Sequence, residues 1–111
     1  MRRGDIYRMH QPPGDPKKYR SFAIASRQSE IDSRFSTVIC APIFTNGHGA
    51  AAQVSIGIDE GMKHECWIWC DGLTSIPKSA LTRYVGSLSE PKLTEFNRAL
   101  AFALDLIELL R

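Results

Sequence analysis

The residue pattern changes once, at Ser89, and the change divides the chain into two kinds of structure. Downstream of it Leu93, Phe96, Leu100, Leu104, Ile107 and Leu110 recur three and four residues apart, the spacing that lines up one face of an α-helix. A helix over residues 91–111 is therefore predicted, roughly six turns long. Ser89 has the short hydroxyl side chain of an N-cap, and Glu90 and Pro91 suit a first turn, where a carboxylate meets the helix dipole and a missing N–H costs nothing.

Upstream the apolar runs are short. Segments 6–9, 20–26, 37–44, 53–58, 65–70, 73–76 and 81–88 read as strands, several with a clear alternation. In 65–70, Cys66, Ile68 and Cys70 share one face, while Trp67, Trp69 and Asp71 share the other. Segment 37–44 is nearly all apolar, as a strand buried on both faces would be, with Pro42 marking a bulge or edge near its end. Pro12, Pro13, Gly14 and Pro16 enforce a loop whose tip is Lys17-Lys18. Residues 28–34 are polar and connect, and Asn46-Gly47-His48-Gly49 reads as a flexible loop. Five to seven short strands followed by one long helix give an α+β order consistent with a small barrel capped by a helix. At 111 residues the length suits one domain, 1–111, with one core.

The net charge of +2 argues little by itself, but its distribution is uneven. Arg2, Arg3, Arg8, Lys17, Lys18, Arg20, Arg27 and Arg34 crowd the first 34 residues against only Asp5, Asp15, Glu30 and Asp32. A phosphate-bearing partner and a merely solvated loop both account for this. Three cysteines, Cys40, Cys66 and Cys70, are an odd number in apolar surroundings, and the charged start lacks the apolar run of a secretory signal. Reduced core thiols in a cytoplasmic protein are expected. Asp105 and Glu108 interrupt the last apolar stretch, so no membrane span is expected.

His64, Cys66 and Cys70 have the right ligand types for zinc. Four residues along a strand, however, place the two thiols roughly 13 Å apart, too far for one ion, and core packing is the better reading. Phosphate-loop, nucleophile-elbow and paired-histidine metal motifs are missing. What remains is Arg20, Ser36, Thr45, Asp71 and three histidines, a set suited to acid–base work on a phosphodiester without metal or cofactor. Trp67 and Trp69 suit stacking on unpaired bases, or an interface or partial core; the cost of leaving two large rings in water favours the latter.

Three segments in order are similar to the MazF/PemK family of toxins: Arg3-Gly4-Asp5-Ile6-Tyr7, then Ile39-Cys40-Ala41-Pro42-Ile43, then Cys70-Asp71 through Ser75-Ile76, Lys78, Leu81 and Gly86-Ser87-Leu88-Ser89. The resemblance implies an SH3-like β-barrel of the CcdB/MazF type with a C-terminal amphipathic helix. It also implies a homodimer, a cognate antitoxin as partner, and sequence-specific cleavage of single-stranded RNA. It places Arg20 at the family's key arginine, with Ser21 where proline usually follows. Phe44 falls at the family's threonine or serine, with Thr45 one place later and able to serve if a bulge or the strand's end turns it. Asp71 matches an acidic position that some PemK-type members use near the scissile phosphate, and Trp69 stands where those members have a basic residue. Catalytic roles are thus expected of Arg20, Thr45 and Asp71, with RNA contacts from Lys17, Lys18, Arg27 and Ser36. Two other functions fit the same fold: a non-catalytic relative that binds RNA or antitoxin, favoured by Phe44, and a CcdB-like gyrase-binding toxin, which needs a distinctive aromatic C-terminal end. This chain ends Leu109-Leu110-Arg111.

Overall fold

The computed structural model describes residues 1–10 and 19–110. Seven strands form one antiparallel sheet: β1 (Asp5–His10), β2 (Tyr19–Ile24), β3 (Thr37–Phe44), β4 (Gln53–Ile56), β5 (Cys66–Trp69), β6 (Thr74–Pro77) and β7 (Arg83–Ser87). The hydrogen-bonded order is β4-β5-β3-β2-β1-β7, with β6 paired to β3. The long strand β3 serves two partners along one edge: β5 takes its Ile43–Phe44 end, and β6 takes Thr37 to Cys40. The result is a curled half-barrel. A four-residue helix, α1 (Gln28–Ile31), follows β2, and α2 (Glu90–Ala103) crosses the sheet.

The expected period-2 pattern is what the sheet uses. Ile6, Ala23, Ala41, Ile43, Val54, Ile68 and the thiols Cys66 and Cys70 point to the side where α2 lies, packed with Phe96, Ala99 and Leu100. Their alternates Phe22, Ile24, Val38 and Cys40 form a second cluster with Ile31, Ile76 and Leu81. The chain therefore has an apolar cluster on each side of its central strands. Phe96 is completely buried, and truncating such a ring typically costs about 3–5 kcal/mol.

The segment that opens β1 is held by its own polar groups. Asp5, buried, accepts from the Arg2 backbone N–H at 2.8 Å and from Ser87 Oγ at 2.8 Å, which ties the first strand to the last. Gly4 bridges the neighbours, donating to Ile24 O at 2.9 Å and accepting from Leu88 N at 3.0 Å.

Among the described residues no ladder joins β4 to β7. A 3-10 turn, Ile58–Glu60, closes the gap by bringing Gly61 against Val85 of β7 and Glu60 against Gly86. A Cβ on Gly86 would lie 2.1 Å from Glu60 O, and one on Gly61, whose φ is +93, would lie 2.3 Å from Val85 O. Only glycine permits this approach.

The C-terminal helix is shorter than its stripe predicts. Ser89 caps the start as expected, its Oγ accepting from Lys92 N at 3.4 Å. The end falls at Ala103, because Asp105 adopts φ 58 and the chain reverses. Leu106 N donates to Ala101 O at 2.6 Å and Asp105 N to Phe102 O at 3.1 Å, the paired bonds of a Schellman cap with aspartate in the place usually held by glycine. The remaining stripe residues Ile107 and Leu110 lie in a separate 3-10 turn, Ile107–Leu110. No helix of the described residues is long and apolar enough to cross a membrane.

Candidate active site at the rim of the sheet

Arg20 lies near the start of β2, and Thr45 immediately follows the end of β3. The register pairs Ser21 with Ile43, so the two strand ends coincide and Arg20 and Thr45 line one shallow cavity of about 110 Å³. β3 stops at Phe44, and Thr45 bends out of the ladder. No register shift interrupts β3 at Pro42, which pairs regularly with Phe22.

Phe44, at the family's hydroxyl position, has a structural role. The Arg20 guanidinium carbon lies 5.6 Å from the centre of its ring, and the ring meets Trp69 edge-on at 5.5 Å. Arginine, phenylalanine and tryptophan thus form a continuous row across three strands. A cation over an aromatic face is held by the ring quadrupole, typically by about 0.5–2 kcal/mol, and the row fixes where the charge sits.

The tryptophans are half-buried and covered by their own loop. Trp69 Nε1 donates to Asn46 O at 3.0 Å. Gly47 sits so close over Trp67 that an added Cβ would be 2.1 Å from its Cγ. Of the two readings open for these rings, the partial core is the one this packing realises.

Asp71 does not line the rim cavity. It is exposed, in the 3-10 turn Cys70–Gly72 two residues beyond Trp69. Its charge, together with burial, which is the larger effect, pushes the Cys70 thiol up to about 12. Burial alone does the same to Cys40. All three cysteines are buried, and among the described residues no three His, Cys, Asp or Glu side chains converge where a metal ion could sit.

Of the residues expected to touch RNA, Arg27 and Ser36 do not line the cavity. Arg27 precedes α1, past the far end of β2, and is ion-paired with Glu30 at 3.0 Å. Ser36 precedes β3, at the opposite end of that strand from Thr45, and its carbonyl accepts from Lys78 N at 2.8 Å. Lys17 and Lys18 lie outside the described residues.

One residue of the cavity was read from sequence as a zinc ligand and, among the three histidines, as an acid–base candidate without a named role. His64 lines it together with Tyr19, Met62 and Cys66. Its Nδ1 lies 3.2 Å from Glu65 O and 3.6 Å from Cys66 Sγ. The alternation that puts Cys66 on the helix side of β5 could have placed His64, two residues earlier, beside the same strand ends.

A curled antiparallel half-barrel with a C-terminal helix over one side and an arginine at its rim defines a fold of small α+β toxins. The family model described as PemK-like, MazF-like toxin of type II toxin-antitoxin system matches residues 2–104. The chain belongs to that family, whose members are generally endoribonucleases. Among solved structures, the Mycobacterium tuberculosis toxin MazF-mt6 is 26% identical with a TM-score of 0.78, covering 92% of this chain and 97% of that one. An endoribonuclease in complex with its cognate antitoxin from a mycobacterial species superposes with a TM-score of 0.81 at 22% identity over 96% of both chains. A MazE-MazF structure from Deinococcus radiodurans is 14% identical, with a TM-score of 0.77 over 96% of this chain and 97% of that one. No curated protein matches the sequence.

Proposed function

We propose that this chain is the toxin of a toxin–antitoxin pair and cleaves single-stranded RNA at short sequences without metal, by attack of a ribose 2′-OH on the adjacent phosphorus. The observation that carries the proposal is the convergence of Arg20 and Thr45 on one rim cavity. A planar guanidinium can hold two phosphate oxygens and stabilise the charge that builds up in a pentavalent transition state, and a threonine hydroxyl can donate to a third. The products are a 2′,3′-cyclic phosphate and a 5′-OH.

The protein acts as a homodimer, and a cognate antitoxin restrains it in the cytoplasm. The apolar surface supports a partner: Ile39, Leu104, Leu106, Leu109 and Leu110 are exposed and border a groove of about 390 Å³ beside α2, the kind of clustered apolar surface that marks an interaction site. A second reading, a non-catalytic relative that binds RNA, is favoured by Phe44 in place of the family's hydroxyl. Purified protein incubated with long RNA in excess chelator separates the two. Fragments ending in 2′,3′-cyclic phosphate are expected; binding without cleavage establishes the second reading, and cleavage only with added metal, or products with a 5′-phosphate, overturns the mechanism.

A further inference from the structure

The proposed reaction needs a group to take the 2′ proton, and Asp71 does not line the cavity that holds Arg20 and Thr45. Resting on that reading of the site, we infer that His64 is a further catalytic residue, whose Nε2 accepts the proton of the attacking 2′-OH.

Position comes first. His64 lines the same 110 Å³ cavity as Arg20 and Thr45, and among the residues lining it the imidazole is the side chain best suited to accept a proton near neutral pH. Orientation is the second point. Nδ1 lies 3.2 Å from the Glu65 carbonyl oxygen; a backbone carbonyl can only accept, so this contact is a hydrogen bond when Nδ1 carries the proton. In the neutral ring that choice of tautomer leaves the lone pair on Nε2. Cys66 Sγ, buried and 3.6 Å from Nδ1, backs the same edge of the ring. Carbonyl and sulfur together hold one nitrogen against the protein and leave the other as the exchanging atom.

The charges around the ring are mixed. On β5 and the residue before it stand Cys66 and Glu65, and on β2 stand Tyr19 and Arg20. Across a larger groove on the other side of His64 are Asp59, Glu60 and Lys92. Lys92 is engaged, its Nζ donating to Ser55 O at 2.7 Å and pairing with Glu95 at 3.4 Å. Among the described residues Arg20 is the cation that shares the rim cavity with the imidazole, which is the division of labour the step requires: one group neutralises the phosphorane and another removes a proton.

The step balances with these groups. The bond from 2′-O to phosphorus forms as the 2′ proton passes to Nε2, and the bond from phosphorus to 5′-O breaks. The departing 5′-oxygen takes the proton from the imidazolium, directly or relayed through a bridging water, which returns the histidine to its neutral form.

The test compares the full-length protein with its His64→Ala, His64→Gln and Asp71→Asn variants on one cleavable oligoribonucleotide under single-turnover conditions. A matched oligonucleotide with a single 2′-deoxy substitution at the scissile position measures affinity. His64→Ala and His64→Gln are expected to lower the cleavage rate by about 100- to 10,000-fold with the affinity changed less than about threefold, and added imidazole is expected to recover part of the lost rate in His64→Ala. Asp71→Asn is expected to lose less of its rate than His64→Ala, and its loss is not expected to respond to imidazole. A His64→Ala protein that cleaves at the wild-type rate overturns the inference, as does a loss that imidazole does not relieve while Asp71→Asn abolishes cleavage. If the wild-type protein cleaves and His64 is dispensable, only the assignment of the base fails. If the wild type cleaves no RNA, the proposed function fails and takes this assignment with it.

Discussion

At its Thr37 end β3 is tied down by polar groups that satisfy its own backbone, whereas at its Phe44 end polar groups gather around an open cavity. The inner end is a closed circuit. Ile39 N donates to Ser26 Oγ at 2.7 Å, and Ile39 O accepts from both Ala25 N and Ser26 N. Lys78 Nζ donates to the carbonyls of Glu30 and Ser33 at 3.1 and 2.8 Å. At the other end the ladder simply stops, and Arg20, Thr45 and His64 share a cavity whose wall is a strand end and a loop. Residue types that look equally functional in the sequence therefore divide by whether they line the cavity. The comparison teaches that Arg27 and Ser36 lie at the tied-down end of this strand, and Arg20 and Thr45 at the end that opens on the cavity.

The sharpest way to break this comparison is Arg20→Ala. Cleavage is expected to fall about 100- to 1,000-fold, the usual consequence of removing a donor to developing charge, with the far-ultraviolet circular dichroism unchanged. Single-turnover rates on a defined RNA check it, and an unchanged rate would erase the distinction between the two ends.

Gly47→Ala attacks the same end through packing. The new methyl would meet the Trp67 ring, so the loop over both tryptophans must lift. A loss of about 1–3 kcal/mol, typical of overpacking, is expected, with a red shift of tryptophan emission as the rings meet water. Denaturant titration followed by fluorescence reads both.

At the closed end, Ser26→Ala removes the acceptor of a part-buried N–H. Leaving such a donor unpaired costs about 1–3 kcal/mol, and the expected signature is lower stability with the cleavage rate per folded molecule unchanged. A parallel loss of rate would show that the two ends are coupled. The smallest effect is expected for Arg27→Ala: its ion pair with Glu30 is exposed on the arginine side, and such pairs are worth less than about 1 kcal/mol. The salt dependence of RNA affinity makes this substitution informative, since loss of a phosphate contact would reduce the slope by about one unit and return Arg27 to the RNA surface.

Much of this arrangement was legible in the residues because it is local. Alternation sorted Ile68 from Trp67 and Trp69, and Ser89 with Pro91 announced the helix start. The helix end was not legible, because Asp105 takes a left-handed conformation in which glycine is the usual signal, and the apolar stripe runs past it undisturbed. At the site, order along the chain pointed to Arg20 and Thr45. Only the pairing of Ser21 with Ile43 puts their strand ends side by side, and register is a tertiary fact that no single segment carries. His64 was hidden for a related reason: read along the chain its neighbours are cysteines, and read across the sheet they are Arg20 and Thr45.

The seam between Gly61 and Gly86 has a mechanical meaning. Among the described residues the paired strands are stitched by directional bonds of nearly fixed length, which makes the curled sheet stiff along its ladders. At the seam the two backbones only touch, so a small widening there sacrifices dispersion contacts worth tenths of a kcal/mol each and breaks no ladder bond. The sheet behaves as a spring clip rather than a hoop, and its compliance is concentrated on a line beside β7, next to Met62, which shares the rim cavity with Arg20.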